Sequence, residues 1–553
     1  MAKNLEARPA VGANQPAGTD PRPETPREIL IALSGILLGI TLASLDQTVV
    51  GTAMPRVIAD LQGFEHYSWV ATAYLLTSTA TIPIAGKLGD LFGRKGVYLI
   101  AVVIFLAGSA LCGAAQSMIW LVVARGFQGI GAGAMQANAF ASIGEIFSGG
   151  AQRAKWQGLI AGVWGISSVF GPTLGGWLTD TAGWRWVFYI NLPIGLVALY
   201  VIWRNLPNFR SSALTRSIDY AGSLTITGSV ISLLLALSWV GGKDGWSQPQ
   251  VWAGLLVAVG LLVVFVFIEK RAKEPVIPLD LFKYRTLNTS ATLAFTVGAV
   301  MLGVLIYAPL FVQGVLGESA ANSGTILTPL LLSVVFANIL TGQTIARLGR
   351  VKPLALSGTV FLIIGTVLLL TIDAQTQSWV ITLYLMVIGV GLGQVMPTMT
   401  ISAQEVLPRA RLGAGTAAIQ FSRSIGSTLG VSIIGTVVTS NFYDNLIKVA
   451  PANTPPALLS RLQDPQVLVS AEARNQLGAI AAQFPNGTSL LANLLQNAKT
   501  ALASSIHSGF IVVMVVALLA LVAALLTPNL KLKLKDKAKA KPAEPAENLL
   551  TLD

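Results

Sequence analysis

The chain has 553 residues, 53% of them hydrophobic and only 11% charged, where a soluble domain carries about 25% charged residues. That balance excludes a soluble globular protein and indicates a polytopic membrane protein. The net charge of +12 does not indicate nucleic acid, because the basic residues gather in alternate loops, and the single cysteine, Cys112, excludes an internal disulfide framework or a cysteine-rich metal site.

A hydrocarbon core of about 30 Å needs about 20 helical residues per crossing. Taken in chain order, residues 1–28 are Pro- and charge-rich, carry no cleavable secretory signal and are expected to form a cytoplasmic tail. Fourteen apolar runs then read as spans: 29–51, 68–86, 96–115, 118–147, 155–178, 186–204, 218–240, 250–269, 287–311, 323–346, 353–372, 379–402, 412–440 and 507–527. The largest extramembrane piece, 441–506, is broken by Pro451, Pro455, Pro456, Pro465 and Pro485, with helices expected at 468–483 and 488–506 and the second running into the last span. Its amphipathic pattern suits a half-buried face packed on its own helices, or a cap over the outer mouth. Residues 528–553 form a basic tail, with Lys531, Lys533 and Lys535 alternating with leucine, suited to anionic inner-leaflet lipid or to plain solvation.

With the N-terminus inside, inward segments hold 28 of the 37 Lys and Arg, outward segments hold 7, and Arg125 and Arg423 lie within spans. Cytoplasmic loops carry such an excess, so both termini are expected in the cytoplasm. The chain also repeats itself. Gly86, Gly93 and Arg94 recur as Gly342, Gly349 and Arg350; Gly129, Gly131 and Gly133 recur as Gly389, Gly391 and Gly393; Glu145 matches Glu405; Gly171 and Gly175 match Gly426 and Gly430. The shift of 255 to 260 positions fits two six-helix bundles, 29–204 and 287–527, separated by a linker, 205–286, that carries two inserted helices. Transporters commonly place their substrate site between such repeats.

Several polar residues then stand out in oil. Asp46 is the acid embedded in the first span, and a carboxyl at such depth is costly and faces a cavity or a partner. Arg125, in span 4, lies at similar depth, so the two are candidates for a pair whose separation would switch proton affinity. Between spans 2 and 3 the sequence Gly86-Lys-Leu-Gly-Asp90-Leu-Phe-Gly93-Arg94-Lys95 packs four charges into a short turn. Glycines at alternate positions from Gly129 to Gly133 admit a neighbouring helix. Gly171-Pro172 with Gly175 in span 5 reads equally as a hinge or as a tight inter-span contact. Glu145 and Glu405, at the inner ends of their spans, suit structural ion pairs at a gate. Arg423 has no acid within two turns and could bind an anionic or polar group, or bond across helices. Gln128, Gln136, Asn138, Asn338, Gln394 and Gln420 are further candidates for a cavity lining, since polar side chains within spans need partners or water. His66 and His507, at outer membrane edges, read as interface anchors.

The Gly86–Lys95 loop resembles the cytoplasmic signature loop of the major facilitator superfamily. Leu45-Asp46-x-Thr48 with Met54-Pro55, the Arg125–Gly133 run, and Gly171-Pro172 through Gly176 together resemble the motifs of its fourteen-span drug:proton antiporters. The resemblance implies an all-α integral membrane fold of two six-helix bundles with a two-helix insert, fourteen transmembrane helices in all. It implies Asp46 and Arg125 as proton-coupling residues, Gly86, Asp90, Gly93, Arg94 and Lys95 as the gating loop, and Gly171, Pro172 and Gly175 as the hinge. The second-half loop departs from the pattern, with Ala346 in place of the acid, and span 10 lacks the acid of exporters that move dications.

The expected function is therefore proton-coupled export of hydrophobic or cationic small molecules by alternating access, in a bacterial-type inner membrane. Export of lipid or cell-envelope precursors is the nearest alternative. A polytopic enzyme would need a convergent nucleophile or acid/base set, and the sequence has none; it also lacks a P-loop. No cofactor, metal or nucleic acid is expected. The expected partners are amphiphilic substrates, protons and membrane lipids, with an accessory envelope protein left open and the monomer as working unit.

Overall fold

A computed structural model describes residues 26–61, 67–147, 149–207, 217–240, 245–318, 320–408, 411–449, 471–484 and 487–530, with isolated positions between 454 and 468 and at 532. Residues 1–25 of the expected N-terminal tail, His66 and almost all of the basic C-terminal tail lie outside the described residues, and 26–28 already belong to the first helix. What is described is helical. In the first bundle α1 is Pro26–Leu61, α2 Tyr67–Phe92, α3 Arg94–Gly113, α4 Met118–Ile146, α5 Gly150–Thr181, and the short α6 Trp186–Tyr189 leads into α7 Asn191–Asn205. The insert is α8 Tyr220–Val240 and α9 Pro249–Glu269. The second bundle comprises α10 Arg285–Gly314, α11 Ala320–Leu348, α12 Lys352–Leu369, α13 Ser378–Val406, α14 Leu412–Val449, α15 Ala471–Ala481 and α16 Gly487–Leu526.

Twelve helical segments among the described residues are long and apolar enough to cross a membrane. The two long helices outside that count are α2 and α5, of 26 and 32 residues. They form the seams between bundles, α5 against α11 and α2 against α14.

The internal repeat is realised in the packing. In the first bundle α1 packs on α5, α2 on α4 and α3 on α4; in the second, α10 packs on α14, α11 on α13 and α12 on α13. The alternating glycines explain how. A Cβ at Gly129 or Gly133 would strike the backbone of Tyr74 or Ser78 on α2, whereas one at Gly131 would strike Ala101 and Phe105 on α3. Their repeat mates do the same work: Gly389 and Gly393 lie against α11 at Leu330 and Val334, and Gly391 against α12 at Gly358. Successive glycines on opposite faces thus let two neighbours approach one helix closely.

Each bundle has its own apolar core, and that of the second extends out of the membrane layer. At about 1.5 Å per residue, α14 and α16 run to about 57 and 60 Å, roughly twice the hydrocarbon thickness. Leu477 and Ala481 of α15 and Leu494, Ala498 and Leu502 of α16 are buried with Phe442 and Leu446 of α14. The described helices of segment 441–506 therefore pack on one another, and the second runs unbroken into the last span. His507 holds the carbonyl of Ile372 at 2.5 Å. Helix α8 lies against α2 and α14, covering the seam on that side, and α9 lies outside it with a largely exposed apolar surface.

Candidate functional site

Two linked constellations emerge, one buried in the first bundle and one at the seam on the face where the 86–95 loop lies, here called the basic face. Asp46 on α1 is fully buried and accepts from three side chains. Arg125 Nη1 donates to Oδ2 at 2.5 Å, while Gln128 Nε2 and Asn191 Nδ2 donate to Oδ1 at 2.9 and 3.0 Å. The guanidinium also donates to Gln128 Oε1 at 2.7 Å and lies over the Tyr74 ring, 4.1 Å from its centroid. Asn191 is fixed in turn by Ser109, whose hydroxyl oxygen accepts at 2.9 Å and whose proton goes to the Phe188 carbonyl at 2.8 Å. Cys112 packs beside this set, 3.5 Å from Gln128 Oε1. Four helices thus supply one satisfied network, as a buried ion pair requires.

At the basic face Gly93, with φ of 94°, ends α2 and lets α3 begin at once. Arg94 is thereby buried, donating to Asp90 and, at 2.9 Å, to Glu145. Asp90 in turn accepts the backbone N–H groups of Gly413 and Ala414 at 3.0 and 2.8 Å, across the seam at the first turn of α14. A carboxylate on a helix N-terminus meets unpaired donors and the positive end of the dipole. Gly86 and Gly413 permit the approach: a Cβ on Gly86 would collide with Ala417, and one on Gly413 with Arg94 and Asp90. Lys87 bonds Glu274 at 2.8 Å, tying the loop to the linker after the insert. Lys95 is partly exposed and stands outside this cluster.

The related seam is built differently, in keeping with Ala346 in place of the acid. There Gly342 lies on the Ala154 carbonyl and on Gly158 of α5. Glu405, the repeat mate of Glu145, meets Arg153 at 3.7 Å. Gln157 donates to Gln404 Oε1 at 2.6 Å, and Gln404 donates to the Phe140 carbonyl and to Thr416. Both glutamates thus sit in ion pairs at this face, the second across the seam.

The hydrogen bonds that join the bundles gather on the basic side of a central cavity of about 790 Å³, counting its open mouth. Helices α1, α2, α4 and α5 line it on one side, α13 and α14 on the other. Among the predicted lining residues Gln136, Gln420 and Arg423 reach it. The others do not, which corrects the expected lining. Asp46, Arg125 and Gln128 are not part of the cavity wall; Arg125 lies over the ring of Tyr74, which is. Asn138 donates to the Ala85 and Ala134 carbonyls, Asn338 approaches Met396 Sδ at 3.7 Å, and Gln394 accepts from Ser357 at 2.7 Å, so these three hold helices together. Gln47, Gln157 and Tyr74 are lining residues that sequence reasoning missed. Asn191 was missed as a ligand of Asp46; its only signal was an amide side chain inside the run read as a span at 186–204. At the expected hinge α5 runs continuously from Gly150 to Thr181. Gly171 and Gly175 lie tightly against Thr48, Val49 and Thr52 of α1, which is the close-contact reading of that motif.

Two bundles related by a repeat, closed by charged loops on one side around a central cavity, form a transporter architecture, and residues 36–431 match the family model described as Major Facilitator Superfamily. The chain belongs to that superfamily. It is 40% identical over 493 residues, 87% of this chain and 89% of the other, to the Multidrug transporter protein MdtP of Bacillus subtilis. It is 36% identical to Multidrug resistance protein 3 of the same organism, over 80% of this chain and 86% of the relative. Among solved structures it superimposes on the proton:xylose symporter XylE with a TM-score of 0.53, covering 91% of this chain and 96% of the other at 16% identity, which bears on the fold. This superfamily member is a multi-pass membrane transporter, not an enzyme, and these two relatives are named as multidrug transport and resistance proteins.

Proposed function

We propose that the chain is a fourteen-span, proton-coupled exporter of hydrophobic small molecules, working by alternating access in the plasma membrane with both termini in the cytoplasm. The observation that carries this reading is the buried Asp46–Arg125 pair, set one aromatic ring away from the central cavity. A carboxylate stripped of its guanidinium in such a place leaves an uncompensated charge costing about 3–5 kcal/mol. A proton removes that charge. Rocking that moves α1 relative to α4 would therefore alternate Asp46 between paired and protonated forms, which couples a proton to the motion.

The Lys/Arg excess supports assigning the basic face to the cytoplasm. On that assignment the cavity faces outward and the Asp90–α14 contact is the closed inner gate. The motion needs no cofactor: the membrane potential contributes about 2.3 kcal/mol per charge per 100 mV. The packing of the described helices of 441–506 on one another supports a monomer as the working unit, with amphiphiles, protons and lipids as its partners.

The test uses purified protein in proteoliposomes. An imposed proton gradient should drive export of a hydrophobic dye by the wild type, and Asp46→Asn should abolish gradient-driven movement while keeping the protein folded. Undiminished pumping by Asp46→Asn would remove the carboxyl from the coupling.

A further inference from the structure

The charge carried by the cavity wall is the opposite of what a cation site needs. Among the described lining residues Arg423 is the one ionic side chain, and no acid faces the space. Asp46 offers no compensation, since its side chain has no exposed surface and its charge is matched by Arg125. A permanent cation entering this cavity meets a like charge in a poorly solvated place, where unpaired charge is most costly.

Arg423 itself is unsatisfied. No described residue gives its guanidinium a hydrogen bond or a counter-charge, and the half-buried side chain stands at the cavity wall. A guanidinium presents five N–H donors in a planar fork that matches carboxylate, sulfonate or phosphate. Two acceptors complement it. Gln420, one helical turn before Arg423 and only 2% exposed, has an Oε1 with no donor, and Gln157 Oε1 is likewise buried and unpaired. Both residues line the same cavity. The remaining wall is soft and apolar, with Met135, Met396 and Met399, side chains that adapt to varied shapes.

We propose that the cavity selects anionic or zwitterionic amphiphiles, with the acid group on Arg423 and a neighbouring N–H or O–H donor on Gln420 or Gln157, and disfavours permanent cations. This rests on the cavity being the cargo site of the exporter proposed above, and it adds the charge of the cargo.

Equilibrium binding to the purified full chain tests it without any gradient, so proton coupling can fail independently in the Asp46→Asn experiment. Dansyl-glycine carries a carboxylate beside a sulfonamide N–H; monodansylcadaverine carries the same fluorophore and N–H with an ammonium. Fluorescence titration should show dansyl-glycine binding more tightly to the wild type. Arg423→Met should weaken it more than about tenfold, the scale of a lost charged hydrogen bond, while leaving or improving monodansylcadaverine binding. Arg423→Lys should restore part of the loss. Should Arg423→Met fail to give monodisperse protein, Gln420→Met decides by the same comparison. Displacement of dansyl-glycine by lysophosphatidate assigns the acid to a lipid, and displacement by naphthoate to a drug-like cargo. Tighter binding of the cationic probe, binding of neither probe, unchanged dansyl-glycine affinity in the variants, or displacement by neither competitor overturns the proposal.

Discussion

Asp46 and Gln47 are neighbours in sequence and do opposite work. About 100° of helical rotation separates them, so Asp46 turns into the first bundle while Gln47 faces the cavity. The embedded acid and the arginine at matching depth were legible because charge in an apolar run has few places to go. The network that holds them was not. Asn191 lies within the run read as a span at 186–204, but only the packing of α7 beside α3 brings its amide to Asp46. The energetics follow from the geometry. Arg125→Met should destabilise the protein by about 3–5 kcal/mol, because a buried carboxylate loses its counter-charge. Adding Asp46→Asn to that variant should recover part of the loss, and thermal melts in detergent of both single variants and the double variant measure the coupling. Asn191→Leu removes one charged hydrogen bond and should cost less, about 1.5–3 kcal/mol, read in the same melts.

Among the elements, the sharpest contrast is between the two seams. One is held by a carboxylate on a helix N-terminus, the other by glycine packing and a glutamine pair. The sequence announced the asymmetry through Ala346, but not that Asp90 would serve α14 as well as Arg94. Helix-terminus charge in a partly buried site is worth up to about 2 kcal/mol. Asp90→Asn should therefore shift the gate toward opening by up to about thirtyfold, and a cysteine in place of Gln404 should become correspondingly more reactive toward a maleimide from the basic face. Equal reactivity in both backgrounds would count against Asp90 as the latch. At the opposite end of α1, Asp60 accepts from the Trp184 indole at 3.0 Å and from Arg185 at 2.7 Å. These hydrogen bonds hold its carboxyl below the usual 3.8. The sign is that of a depressed acid: the tie is present above the ordinary carboxylate range and is lost as pH falls through the lowered folded-state value. Asp60→Asn should flatten the acid limb of the melting profile and leave the neutral region nearly unchanged.

Across the whole molecule, the side-chain hydrogen bonds that join the two bundles gather toward the basic face. With that face in the cytoplasm, a cysteine at Gln47 should react with a membrane-impermeant thiol reagent added outside intact cells, and one at Gln157 should be shielded in the resting state. Labelling of Gln157→Cys ahead of Gln47→Cys would mean the opposite orientation or the opposite resting state. The insert bears on access as well. Helix α8 covers the α2–α14 seam, with Leu76 and Ala80 of α2 buried against Ile226, Val230 and Leu234 of α8, which closes that side to lateral exchange with lipid. The long helices α14 and α16, with α15 packed on them, extend the second bundle away from the basic face as one unit.

The chain by itself determined the crossings, the repeat, the charge asymmetry and the embedded charged pair. Those follow from the cost of polar groups in oil and from linear spacing, which a sequence states directly. Only the tertiary structure decided which polar side chains face the cavity. Gln128 and Gln136 lie on one helix about 80° apart in rotation. Hydropathy cannot orient a helix whose polar residues all point inward, because lipid distinguishes inside from outside and not one interior contact from another. That choice was made by where the glycines let neighbouring helices approach, and it put Gln128 on Asp46 and Gln136 beside the space where cargo would lie.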